Sequence, residues 1–204
     1  LSLIGLHRSI AKLTLFEHPA DVPNIFFDLD VVIQNDITHF KDYFNKGNKE
    51  KFDKYTDTLL YLAARNEHVK NKIIPALKKK LVVICDRFID STIAYQVDVK
   101  KVKRSFIDHL HKFILKGIKP NITFILKVSP KASKLRLKKR KTKNRYDNFS
   151  QSFYTKAQKS FLKIAKNKKN YFVLDSSSNT NELEKKIFKI VSRYLKIQWF
   201  QMII

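Results

Sequence analysis

Apolar and polar residues alternate along most of this chain in two recognisable rhythms. Leu59, Leu62 and Ala63 recur at helical spacing behind Thr56 and Asp57, either of which caps a helix, and Pro75 interrupts the helical run that follows. Residues 81–85, Leu-Val-Val-Ile-Cys, are apolar without a break, as in a strand buried on both faces. A helix is predicted from about residue 99 to 116, with Val102, Phe106, Leu110, Phe113 and Ile114 on one stripe and Gly117 at its end. Pro120 leads into a second apolar run at 122–128. Beyond a basic segment, Phe149, Phe153, Ala157 and Phe161 recur at steps of four, with Asp147 at the start of that helix. A third strand at 171–174 and an amphipathic helix at 181–195 close the pattern.

Strands alternating with helices predict an α/β domain with a parallel sheet flanked by helices on both faces, and 204 residues suit one such domain. Ligands of such sheets bind at the carboxyl ends of the strands. That rule singles out Asp86 and Arg87 after one strand and Asp175, Ser176 and Ser177 after another. Residues 1–50 are less legible. Residues 13–16, and either 25–27 or 29–33, read as strands, but no helix is signalled between them.

Charge adds a second theme. The formal net charge is +24. Such an excess points to nucleic acid as a partner, or to lysine filling solvated faces in a Gly-poor, Lys-, Ile-, Asn- and Phe-rich composition. The single cysteine, Cys85, has no partner for an internal disulfide, which implies a reducing, cytoplasmic setting. No apolar run approaches the ~20 residues of a membrane helix, and the first residues have no clean signal-peptide pattern. The last residues, from Ile197 to Ile204, are apolar, so that tail either docks on the core or is a run-on.

Several side chains stand out as chemistry. Tyr61 and Arg65 lie four apart and share one helix face, a ring and a guanidinium that suit a flat base with a carbonyl acceptor. A core tyrosine beside a surface arginine is the plainer alternative. Arg87 directly after a buried strand either pairs with an acid or grips a phosphate with its planar fork. Asp86 beside it orients that arginine or holds a metal-bound water. Residues 131–145 are dense in Lys and Arg, which reads as a solvated helix, or as a nucleic-acid patch or targeting signal. His109 and His111 are i,i+2 neighbours on different helix faces, which argues against a metal site.

Taken in order, LLYLAAR, HVKNKIIPAL, VVICDRFIDSTIAYQ, PNITF, the Arg140…Arg145 spacing in RKTKNRYD, the following FY…F helix and VLDS resemble bacterial thymidylate kinases over about residues 53–195. The DRFIDSTIAYQ segment is the most specific part. The resemblance implies a P-loop NTPase fold of the nucleoside monophosphate kinase kind, a three-layer sandwich in one domain over residues 1–204. It implies ATP-dependent, Mg2+-dependent phosphorylation of dTMP to dTDP, usually by a homodimer, with no requirement for nucleic acid or membrane. Tyr61 then stacks on thymine, Arg65 meets a base carbonyl, and Arg87 holds the monophosphate with Asp86 beside phosphates and metal. Ser91 and Thr92 lie near base and phosphate, and Tyr95 sits against the sugar with Gln96 after it. Residues 131–147 become the lid over the ATP phosphates, with Arg140, Arg145 and more weakly Arg136 as its arginines, and Asp175 and Ser176 flank the nucleotide.

One part of that pattern is missing. The family's first strand carries G-x-x-G-x-G-K-[ST], whose backbone N–H groups cradle the ATP phosphates. Here the three glycines, Gly5, Gly47 and Gly117, are isolated, and no R-E-P-G-G follows. Residues 1–42 are therefore atypical, through truncation or a shifted reading frame, and the chain is expected to transfer phosphoryl groups poorly. Lys127, Val97 and Asn144 are smaller departures from the family pattern. A non-catalytic kinase homologue and a basic nucleic-acid-binding protein are the alternatives to the enzyme.

Overall fold

A computed structural model describes residues 52–138, 150–177 and 180–195, together with the backbone of two strands at 12–16 and 25–28. Its sheet has five strands: β1 (Lys12–Phe16), β2 (Ile25–Asp28), β3 (Val82–Asp86), β4 (Ile122–Lys127) and β5 (Tyr171–Asp175). They lie in the order β2-β3-β1-β4-β5. β2 is parallel to β3 and β4 to β5, while β1 runs antiparallel to both of its neighbours. Four strands thus point one way, as the expected parallel sheet requires, and the central β1 alone is inverted. Chain length supplies a reason. A parallel crossover needs about a dozen residues or more, usually helical. The segment 17–24 between β1 and β2 is shorter, so β2 must start near the edge where β1 ends.

Alternation along the strands assigns the layers. Val83 and Cys85 face α1 (Lys54–His68), α2 (Ile74–Lys78) and α4 (Arg104–Leu115), in a core with Leu62, Ile73, Phe88 and Ile107. On the same side Ile125 packs with Tyr95, Ala157 and Phe161 beneath α6 (Gln151–Ala165). Val82, Ile122, Phe124 and Leu126 face the other way, onto Leu183 and Ile187 of α7 (Thr180–Tyr194). The result is helix, sheet, helix.

Local boundaries follow capping chemistry. Asp53, rather than Thr56 or Asp57, caps α1, its Oδ2 accepting from Tyr55 N at 2.7 Å and Thr56 N at 3.3 Å. Asp57 is instead buried and ion-paired with Lys100. Pro75 does not break the helical path, because a π-helical turn at Val69–Ile73 precedes it and absorbs the lost donor. After β3 the chain forms α3 (Ile89–Thr92) and a second π segment, Ile93–Val99, so the predicted helix at 99–116 begins only at Arg104. Lys116 and Gly117 end it in left-handed geometry, φ 49° and 82°. α5 (Pro130–Lys138) opens the basic segment. α6 starts at Gln151 with Ser150 as its cap, while Asp147 and Phe149 lie outside the described residues, as does the C-terminal tail. Among the described residues no helix is long and apolar enough to cross a membrane.

Candidate functional site

The carboxyl ends of β3, β4 and β5 form one rim of the sheet, and the candidate residues gather at two places on it. The first is the end of β3. Here Arg87 adopts φ 65°, a left-handed backbone that a branched or long side chain rarely takes without a local reason. The kink turns the chain from β3 into α3. Arg87 carries its guanidinium carbon 5.5 Å from the centre of the Tyr95 ring, a cation–π approach. Cys85 Sγ donates to the Arg87 carbonyl at 3.4 Å, a weak bond from a buried free thiol. Ser91, Thr92, Tyr95 and Gln96 follow within α3 and the π segment, all buried.

Arg65 reaches the same region from α1. Its guanidinium carbon lies 5.0 Å from the ring centre of Phe88, a residue with no exposed surface. Burial pushes this arginine below its ordinary value, while the thiol of Cys85 and the carboxyl of Asp90 oppose that shift. Arg65 Nε, Ser91 Oγ and His111 Nε2 are buried and meet no hydrogen-bond partner among the described residues. Tyr61 sits one turn before Arg65 and is half-buried.

Two residues that sequence reasoning did not assign support this region. Asp90 is 2% exposed and accepts from the Tyr171 hydroxyl at 2.8 Å, tying α3 to the start of β5. Burial, then the Asp90 charge and that bond, raise the Tyr171 hydroxyl above its ordinary range. His111 points inward from α4 while His109 is exposed, as their i,i+2 spacing requires. Burial, with Arg65 next in weight, pushes the His111 imidazole down to about 4, so it is neutral near pH 7. Asp90 stood inside the quoted motif, but only its burial beside Tyr171 reveals a role.

The second place is the end of β4 and β5. Asp175 accepts from Ser177 N at 2.7 Å, and bonds from the side chain and backbone of Ser177 hold its carboxyl below the usual range. Ser176 donates from N to the Lys127 carbonyl at 2.7 Å and from Oγ to the same oxygen at 3.0 Å. Arg136 of α5 donates to the Ser176 carbonyl, and Ser177 Oγ accepts from Ser129 N at 2.9 Å. These bonds fasten the base of the basic segment to the rim. Arg140 and Arg145 lie outside the described residues.

Between the two places runs β1. Leu13 pairs with Asp86 and Phe16 with Val83, so β1 enters the sheet at the rim and its end at Phe16 lies away from Arg87. Asp86 is half-buried at the rim. Among the described residues no group of three His, Cys, Asp or Glu side chains converges as a ready-made metal site. One or two carboxylates completed by substrate phosphates is the usual magnesium arrangement, and Asp86 fits that role.

Comparison with known proteins agrees with this geometry. Residues 38–187 match a family model described as thymidylate kinase. A thymidylate kinase of Onion yellows phytoplasma (strain OY-M) is 36% identical over 169 residues, which is 81% of this chain and 76% of that protein. One from Wolbachia pipientis subsp. Culex pipiens (strain wPip) is 39% identical over 152 residues, 72% of each. The crystal structure of thymidylate kinase from Ehrlichia chaffeensis superposes with a TM-score of 0.58 at 27% identity, covering 78% of either chain.

Proposed function

Since the chain belongs to the thymidylate kinase family, with its α/β P-loop-type fold, we propose that the end of β3 is a binding site for dTMP, the phosphoryl acceptor. One observation carries this reading: the left-handed Arg87 places a guanidinium on the rim against Tyr95, within the segment that also holds Phe88 beneath Arg65. In this reading Arg87 takes the monophosphate through paired N–H donors. Arg65 donates to a base carbonyl, Tyr61 stacks on the ring, Ser91 and Thr92 lie near base and phosphate, and Tyr95 packs against the sugar with Gln96 after it. A neutral His111 leaves Arg65 as the cation facing the base.

The family reaction is ATP plus dTMP to ADP plus dTDP, and ATP with Mg2+, when bound, supplies the phosphoryl group. The residues of the rim fit the acceptor better than the donor. A triphosphate cradle requires successive backbone N–H groups at a glycine turn. The three isolated glycines offer none, and β1 turns its end away from the rim. Arg136, which donates to Ser176, and Asp175, which accepts from Ser177, remain with Ser176 the candidates for the nucleotide side. The 204-residue chain therefore binds dTMP in the micromolar-to-millimolar range and phosphorylates it slowly. As its partner we infer a second copy of the chain, as the resemblance to thymidylate kinases implies.

Calorimetric titration with dTMP, and with UMP and AMP as controls, tests the site. Saturable binding of dTMP alone is the expected result, and equal or absent binding of all three refutes the assignment. Single-stranded DNA at two salt concentrations addresses the +24 charge. A nucleic-acid protein shows affinity falling with a logarithmic slope of about −0.9 per phosphate contact, without dTMP specificity.

A further inference from the structure

We infer that Phe153, at the start of α6, is a positioning residue for the phosphate grip: its ring sets the plane of Tyr95, and Tyr95 in turn sets the guanidinium of Arg87. This rests on the reading of Arg87 as the phosphate contact. Tyr95 is 6% exposed. Arg87 approaches it at 5.5 Å, Phe153 stacks on it at 5.7 Å with 19° between planes, and Phe161 meets it edge-on at 5.8 Å and 77°. Phe153 itself has little freedom. Its N–H lies 3.0 Å from the Ser150 carbonyl and 3.3 Å from Ser150 Oγ, at the capped start of α6, and Tyr154 meets its ring edge-on at 5.8 Å. Farther along α6, Ser160 hydrogen-bonds Asp98, which holds the helix against the π segment that carries Tyr95.

The physical consequence is directional. A guanidinium over a ring is held by the quadrupole of that ring, so rotating the ring rotates the favoured position of the cation. A phosphate accepts two parallel N–H bonds only from a fork in the right plane. Packing alone does not need Phe153 for this, since Ala157 and Phe161 already fill the core beneath α6 and Phe153 is only half-buried.

Binding of thymidine and of dTMP to the full chain separates the two roles, because their affinity ratio reports the phosphate contact by itself. Wild type, Phe153→Leu, Phe153→Tyr and Arg87→Ala are titrated with both ligands, with melting temperature measured alongside. The expected result is that Phe153→Leu lowers the ratio about three- to tenfold while thymidine binding holds, and that Phe153→Tyr keeps the wild-type ratio. If the leucine chain does not fold, Phe153→Met, closer in volume, gives the same readout. Should the ratio survive in these variants and collapse only in Arg87→Ala, Phe153 is packing and the inference fails while the site stands. A wild-type ratio near one overturns the reading of Arg87 and the inference with it.

Discussion

The end of β3 and the end of β4 and β5 share a rim but are built on different principles. At β3 every proposed recognition element is a side chain delivered from rigid structure: Arg87 from a strand end, Arg65 from α1, Tyr95 from a π segment. Those side chains rest on the buried core of Leu62, Ile73, Phe88 and Ile107 beneath them. On the nucleotide side, a triphosphate is held mainly by backbone N–H groups, which needs glycine and a particular strand-to-helix turn. Among the described residues no such glycine turn occurs, whereas the residues proposed for the acceptor side are in place at the end of β3.

The largest expected effect comes from breaking the acceptor side from below. Phe88 has no exposed surface and lies under Arg65, so Phe88→Ala should cost about 3–5 kcal/mol of stability in a denaturant titration. It should weaken dTMP binding even in the fraction that remains folded. A smaller effect should appear in acid. In the unfolded chain His111 takes a proton near pH 6.5, whereas in the fold burial and Arg65 delay this to about 4, with Arg104 adding to Arg65 and with Asp108 and Asp90 opposing. Between those values the unfolded state binds more protons, so stability is complete above about pH 6.5 and drains as pH falls toward 4. His111→Gln should flatten that loss by up to about 3 kcal/mol, read as the difference in unfolding free energy between pH 7 and pH 4. The smallest effect is expected on the other side of the rim. Asp175 is exposed, and Asp175→Asn should change dTMP affinity by less than about 0.5 kcal/mol. A larger change would show that the two halves are not separate.

How much of this could be read beforehand varies with the physics of each element. β3, β4, β5 and α7 were legible within a few residues because unbroken apolar runs and helical stripes mark them directly. The start of α1 was misplaced by a few residues because Asp53 and Asp57 are both plausible caps, and only the Lys100 partner reveals that Asp57 is otherwise engaged. Pro75 suggested a break because the π turn that accommodates it leaves no compositional trace. The direction of β1 was invisible, since an apolar run has no polarity and only the short 17–24 connection hints at it. At the candidate site, the DRFIDSTIAYQ segment announced Arg87 and Tyr95 by resemblance. The left-handed backbone of Arg87, the Asp90–Tyr171 bond and the Phe153 stack are tertiary facts that no local pattern encodes.

Parallel titrations of dTMP and of ATP with Mg2+ into the same preparation bear most directly on the contrast between the two halves. The expected outcome is saturable binding of dTMP with an affinity at least about tenfold above that for ATP. ATP binding as tight as that of dTMP, or ATP binding in the absence of any dTMP binding, would contradict it.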